Sequence, residues 1–181
     1  MRVYHDTTLE NNIDIYNNGI DLSRSNDYLD FGKGFYVTPN FELAKDMARR
    51  VAYRTSSKFP TVISFEYTEN LELNYKEFPC EDMEWAKFIM ANRVFPKLAN
   101  ELGLFDSNVD LKYDIIKGSI ADGRVANIAS DLRYGKIKPK DYVLDLSDFL
   151  KEDGHSYGMQ IVFCSKKSLS CIRYIECDII K

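Results

Sequence analysis

Cysteine and histidine are scarce here: the 181 residues hold four of the first and two of the second. Cys80, Cys164, Cys171 and Cys177 show no C-x-x-C spacing, so a metal site is not expected. Three of the four lie near the C-terminus among apolar residues, where a reduced thiol packs as a small hydrophobe. Free thiols in a reducing compartment are the expectation. Long apolar runs are missing as well, with nothing near the ~18–20 uninterrupted residues of a membrane span. The opening Met1-Arg2-Val3-Tyr4-His5-Asp6 has neither an apolar leader nor a small-residue cleavage site, which points to a cytoplasmic chain. Repeats, low-complexity segments and Gly/Ser/Pro linkers are absent, so residues 1–181 read as one domain. Positive charge is not in excess either. A net charge of −4 argues against general nucleic-acid binding, which needs clustered cations. The local exception is Lys45, Arg49, Arg50, Arg54 and Lys58, whose near-helical spacing lets them share one helix face. That face reads as solvated surface, with a partner, nucleic-acid or phosphate-binding surface as the alternative.

What is present is an ordinary globular composition, 45% hydrophobic and 29% charged. A strand opens the chain at Arg2–His5, and Thr7 or Thr8 caps a polar helix through Ile13 and Tyr16 that Gly19 ends. Leu22–Lys33 is polar and reads as a loop. Gly34–Val37 is a short strand stopped by Pro39, and Asn40 caps a helix running from Phe41 to about Arg54. Leu43, Ala44, Met47, Ala48, Val51 and Ala52 give that helix an inward face. Val62–Tyr67 alternates and is a strand. A helix spans Asp82–Arg93, and Pro96 is expected to end or kink it. Tyr113–Lys117 is a strand, followed by helices near Val125–Leu132 and Val143–Leu150. Met159–Cys164 and Ile172–Cys177 close the chain as strands. Strands at both ends with helices inserted between them predict an α+β fold with a mixed or antiparallel sheet.

Two segments carry a resemblance. Val3-Tyr4-His5-Asp6-Thr7-Thr8 and Phe31-Gly32-Lys33-Gly34-Phe35-Tyr36 look like the opening strand and a later strand motif of the His-Tyr-Glu branch of ADP-ribosyltransferases, that of the poly(ADP-ribose) polymerases and diphtheria toxin. Near the other end, Met159-Gln160-Ile161-Val162-Phe163-Cys164 resembles the strand that carries the catalytic glutamate of those enzymes. The whole chain is also similar to an uncharacterised bacterial family placed near them, through Tyr4-His5-Asp6, Leu29–Tyr36, Ala91-Asn92-Arg93 and Tyr113-Asp114-Ile115.

This resemblance implies an ADP-ribosyltransferase-like split sheet and an NAD site in which His5, Tyr36 and Gln160 are the catalytic trio. Tyr36 would stack on nicotinamide, and His5 would bond a ribose hydroxyl through one ring nitrogen while the backbone fixes the other. Tyr4, Asp6, Thr7, Gly32, Gly34, Phe35, Met47, Arg93 and Asp114 would complete the NAD-binding wall, the glycines by close approach or positive φ. Asp6 stands where the family has glycine, Ala44 where the polymerases have a serine, and Met47 where they have a second stacking tyrosine. Gln160 replaces the glutamate that stabilises positive charge on the ribose. Restoring a glutamate there is expected to raise NAD cleavage. Asp114 and Asp122 are the candidate substitute carboxylates, Arg93 and Arg124 the candidate pyrophosphate partners, and His155 and Tyr157 candidates for the rim. The implied activity is mono-ADP-ribosyl transfer from NAD to an unknown macromolecular acceptor, protein or nucleic acid. A toxin with a cognate antitoxin protein follows by family analogy. The alternatives are a non-catalytic NAD, ADP-ribose or protein-binding module and an NAD hydrolase.

Overall fold

Alternation and helical periodicity resolve the chain into seven strands and six helices among the residues that the computed structural model describes, which are 1–121, 123–139, 141–151 and 157–181. Strands β1 (Arg2–Thr8), β3 (Pro60–Tyr67) and β7 (Ile172–Ile179) form an antiparallel sheet in the order β1-β3-β7. A second sheet runs β2 (Phe35–Val37), β6 (Met159–Phe163), β5 (Ile115–Ser119), β4 (Tyr75–Glu77). Its β4–β5 pair is parallel and its other pairs antiparallel. Tyr4 and Thr38 join the two sheets by exchanging backbone hydrogen bonds of 2.8 and 2.9 Å. The helices are α1 (Leu9–Asn18), α2 (Phe41–Thr55), α3 (Met83–Arg93), α4 (Pro96–Glu101), α5 (Gly123–Arg133) and α6 (Tyr142–Phe149). The chain is α+β. None of its described helices is long and apolar enough to cross a membrane.

Period-2 alternation explains how the strands are placed. Val3, Phe35, Val37, Ile63, Ile161 and Phe163 all point into a shared core. The opposite face of the second sheet, through Ile116 and Val162, meets Trp85, Phe88, Ile89 and Leu146 from α3 and α6. Each such fully buried side chain contributes about 1.5–3 kcal/mol of transfer free energy. Helix α2 covers the first sheet through Ala44, Ala48 and Ala52. This stripe of small residues brings the helix close to β1 and β3 and leaves Leu43 and Met47 half-buried beside it. Asn40 caps α2, its side-chain oxygen accepting from Leu43 N–H at 3.1 Å.

Several strand ends shift by two residues, as at β5, expected over Tyr113–Lys117 and found over Ile115–Ser119, and three departures go further. β1 continues to Thr8, which is also the residue that caps α1. Pro96 does end the preceding helix, at Arg93, but it also begins α4. At the first helical position its missing N–H would have had no intrahelical partner, so the ring costs little there. Strand β4 has only three residues, Tyr75-Lys76-Glu77, none of them fully buried, and so shows no apolar alternation.

Candidate functional site: two chambers that share Tyr36

The alternation that builds the core also exposes the site. In β2, Phe35 and Val37 face the core between the sheets, so Tyr36 faces the other way. In β6, Ile161 and Phe163 do the same and turn Gln160 out with Val162. The register pairs Tyr36 with Val162 and Gln160 with Gly118, which puts Tyr36 and Gln160 on one face of the sheet.

Two cavities open there, and both include Leu29 and Tyr36 in their walls. The larger, about 310 Å³, is the more polar of the two: His5, Thr7, Asn11, Asp14, Arg24 and Ser25 stand in its wall beside Gly34 and the apolar Ile15, Ile20, Leu22 and Phe35. The smaller, about 230 Å³, is walled by apolar Val37, Leu43, Met47 and Ile120, with Asp6, Asp30, Arg93 and Gln160 as its polar groups. Successive residues of β1 serve different chambers, because His5 and Thr7 lie on one face of the strand and Asp6 on the other.

His5 is held by a 2.8 Å hydrogen bond between Nδ1 and the carbonyl oxygen of Tyr36, and its ring lies 4.2 Å from that of Phe35. A carbonyl can only accept, so Nδ1 carries the proton and Nε2 is left as an acceptor in the neutral ring. Burial lowers the His5 pKa below its ordinary value of 6.5, against the opposing influence of Asp6 and the Tyr36 carbonyl.

The Tyr36 hydroxyl is already engaged. It donates to Gly32 O at 2.6 Å and accepts from Phe31 N–H at 3.1 Å, so the residue presents its ring to the chambers and keeps its polar tip in the loop. Burial holds its pKa well above the usual phenol value. The two glycines serve different purposes. Gly32 has φ +78°, the left-handed region that favours glycine. Gly34 is where the loop presses on β6: a Cβ there would overlap Val162 Cγ1 and lie 2.9 Å from Phe163 O. Its close approach is thus to the protein itself.

At the floor of the apolar chamber is a carboxylate missed by the sequence reading. Asp30 belongs to the stretch read as a polar loop, yet it is buried, as is the neighbouring Phe31. Asp30 accepts three hydrogen bonds, from Arg93 Nε (2.7 Å) on Oδ1 and from Ala121 N–H (3.1 Å) and Gln160 Nε2 (3.1 Å) on Oδ2. Gln160 Nε2 also donates to Ser119 O at 3.2 Å. Two acceptors on one side fix the amide's orientation and turn Oε1 the other way. That oxygen has no hydrogen-bond partner among the described residues. The available signal was the apolar pair Leu29 and Phe31 flanking one acid, since a solvated loop has little use for either.

The remaining candidates separate. Met47 and Asp6 line the apolar chamber. Tyr4 packs its ring edge-on to Phe41, 5.1 Å away, and lines neither chamber. Asp114 is committed elsewhere: its carboxylate accepts from Asn74 N–H at 3.0 Å and pairs with Lys167 at 2.9 Å, which lowers its pKa despite desolvation. It is no substitute for a glutamate at Gln160, and Asp122 and His155 lie outside the described residues. Arg93 is tied to Asp30, so the cation in the wall of the polar chamber is Arg24, which pairs with Asp14. Arg124 is exposed at the start of α5, and exposed Tyr157 lines neither chamber. Asn92 is buried and structural, donating to Phe88 O and accepting from Asn108 N–H. On α2, Glu42 and Asp46 pair with Lys45 and Arg49 and interrupt the basic face.

A family model described as a protein of unknown function, DUF3990, matches residues 1–174. No curated protein and no solved structure matches the chain.

Proposed function

We propose that this chain, which belongs to the DUF3990 family, is a mono-ADP-ribosyltransferase of ADP-ribosyltransferase-like fold that takes NAD across both chambers. Its acceptor would be a macromolecule of the cytoplasm. The observation that carries this reading is the pair of unlike chambers sharing Tyr36, since NAD is itself a pair of unlike halves. The apolar chamber offers Met47, Leu43 and the Tyr36 ring to a flat aromatic ring, and a cationic ring is favoured beside the carboxylates of Asp6 and Asp30. The polar chamber offers His5 Nε2 as acceptor for a ribose hydroxyl and Arg24 for phosphate. Its volume lies near the lower end of ordinary ligand sites, roughly 300–1,000 Å³.

Transfer requires the nicotinamide–ribose bond to break with its electrons leaving on nicotinamide, while an acceptor nucleophile takes the ribose carbon and loses a proton. Gln160 Oε1 would bond the adjacent ribose hydroxyl as positive charge develops there. An amide orients that hydroxyl and adds less stabilisation than a carboxylate, so a single transfer is favoured over chain elongation.

The test is nicotinamide release from carbon-labelled NAD by purified protein, with and without cell lysate. Label on a lysate macromolecule is the expected result. Release with all label remaining as free ADP-ribose would make the protein an NAD hydrolase. A melting temperature raised by NAD without any release would leave a binding module and end the enzymatic reading.

A further inference from the structure

We infer that Asp30 is the positioning residue of this site: it fixes and polarises the Gln160 amide, supplying from the Leu29–Tyr36 loop the negative charge that β6 itself lacks. The inference rests on the reading above for its reaction and on the structure for its geometry. Asp30 is an acceptor at both oxygens, and all three of its partners are donors. An amide in place of Asp30 could not satisfy them, because one of its two heads would be a donor facing Arg93, Ala121 or Gln160. The site demands a carboxylate there. A carboxylate that accepts from Nε2 draws the amide's electrons towards Oε1, and hydrogen bonds in such a chain strengthen one another in a low-dielectric interior. Oε1 thus becomes a better acceptor at the place where the resemblance puts a glutamate oxygen.

The same geometry explains glutamine at this position. A glutamate would set a second carboxylate about 3 Å from Asp30 and against the Ser119 carbonyl, with no donor between them. Two carboxylates at that separation cannot both ionise easily. The expectation that Gln160→Glu raises NAD cleavage is therefore reversed.

Gln160→Glu decides the matter, because it leaves Asp30, Arg93 and Ala121 in place. Nicotinamide release and NAD affinity are measured for wild type, Gln160→Glu, Asp30→Asn and the double exchange Asp30→Asn/Gln160→Glu, with melting temperatures for all four. The expected result is a kcat at least about 10-fold lower in Gln160→Glu with KM little changed, and about 100-fold lower in Asp30→Asn. The double exchange should lose less than the product of the two single losses, because it again sets one carboxylate against one amide. A Gln160→Glu variant more active than wild type overturns the inference, and so does a double exchange whose losses simply multiply. A readout independent of turnover is the Gln160 Nε2 proton resonances. They should sit downfield in wild type and move upfield in Asp30→Asn, whereas resonances like those of exposed glutamines in wild type would overturn the pairing. If wild type releases no nicotinamide while these resonances stay downfield, the enzymatic reading fails and the orientation of Gln160 stands. Should Asp30→Asn fail to fold, Gln160→Glu and the wild-type spectrum still separate the outcomes.

Discussion

The two chambers share a wall and differ in how they hold their charges. In the polar chamber Arg24 and Asp14 form an ion pair whose side chains are about half and two-fifths exposed. In the apolar chamber Asp30 and Arg93 form one whose carboxylate is 7% exposed, with Gln160 and a backbone amide completing its shell. Exposed pairs are screened by water and contribute little, whereas a buried carboxylate stripped of its donors, or donors stripped of it, costs several kcal/mol. The polar chamber can therefore exchange its internal partners for a ligand, and the apolar chamber keeps its groups fixed in advance. In the proposed reading, binding belongs to the first arrangement and charge stabilisation to the second.

The widest gap between the chambers should appear in stability. Asp30→Ala strands three donors and is expected to cost about 3 kcal/mol in denaturant unfolding. Arg24→Ala, at the exposed pair, should cost under about 1 kcal/mol and weaken NAD binding instead. Equal losses in the two variants would erase the distinction.

A smaller effect should follow pH through His5. Its pKa is lowered in the folded chain, so below about 6.5 the unfolded state takes up the proton first. Stability attached to His5 is then complete above pH 6.5 and is lost as pH falls from there through the folded-state pKa. Subtracting the profile of His5→Gln from that of wild type between pH 7.5 and 5 isolates this loss. The NAD affinity lost over the same window should match it in direction, because a protonated Nε2 no longer accepts. A difference profile that is flat, or that rises towards acid, would mean His5 is not buried in its neutral form.

The sequence displays some of this arrangement and hides the rest for physical reasons. Helix α2 is plain from its apolar period and its cap at Asn40, and it carries Met47 to the chamber wall. Segments β2 and β6 are equally plain as strands, and once the two pair, the period-2 geometry of a strand puts Tyr36 and Gln160 on one face. The partition into two chambers is not legible, because it depends on β1 sending His5 and Asp6 to opposite sides while bridged to Thr38. Asp30 is hidden for a different reason. Its partners Arg93, Ala121 and Gln160 lie 63, 91 and 130 residues away, and the local hint, apolar Leu29 and Phe31 on either side of one acid, says nothing of where those partners are.

The central claim is that one ligand spans both chambers across Tyr36, and a titration with the separate halves of NAD tests it most directly. Amide and methyl resonances are followed while 3-aminobenzamide, then AMP, then NAD is added to the same protein. The account predicts that the benzamide perturbs Met47, Leu43 and Gln160, that AMP perturbs His5, Thr7 and Asn11, and that NAD perturbs both sets together with Tyr36. If NAD shifts only one set, or if both halves compete for a single chamber, the two-chamber account is wrong.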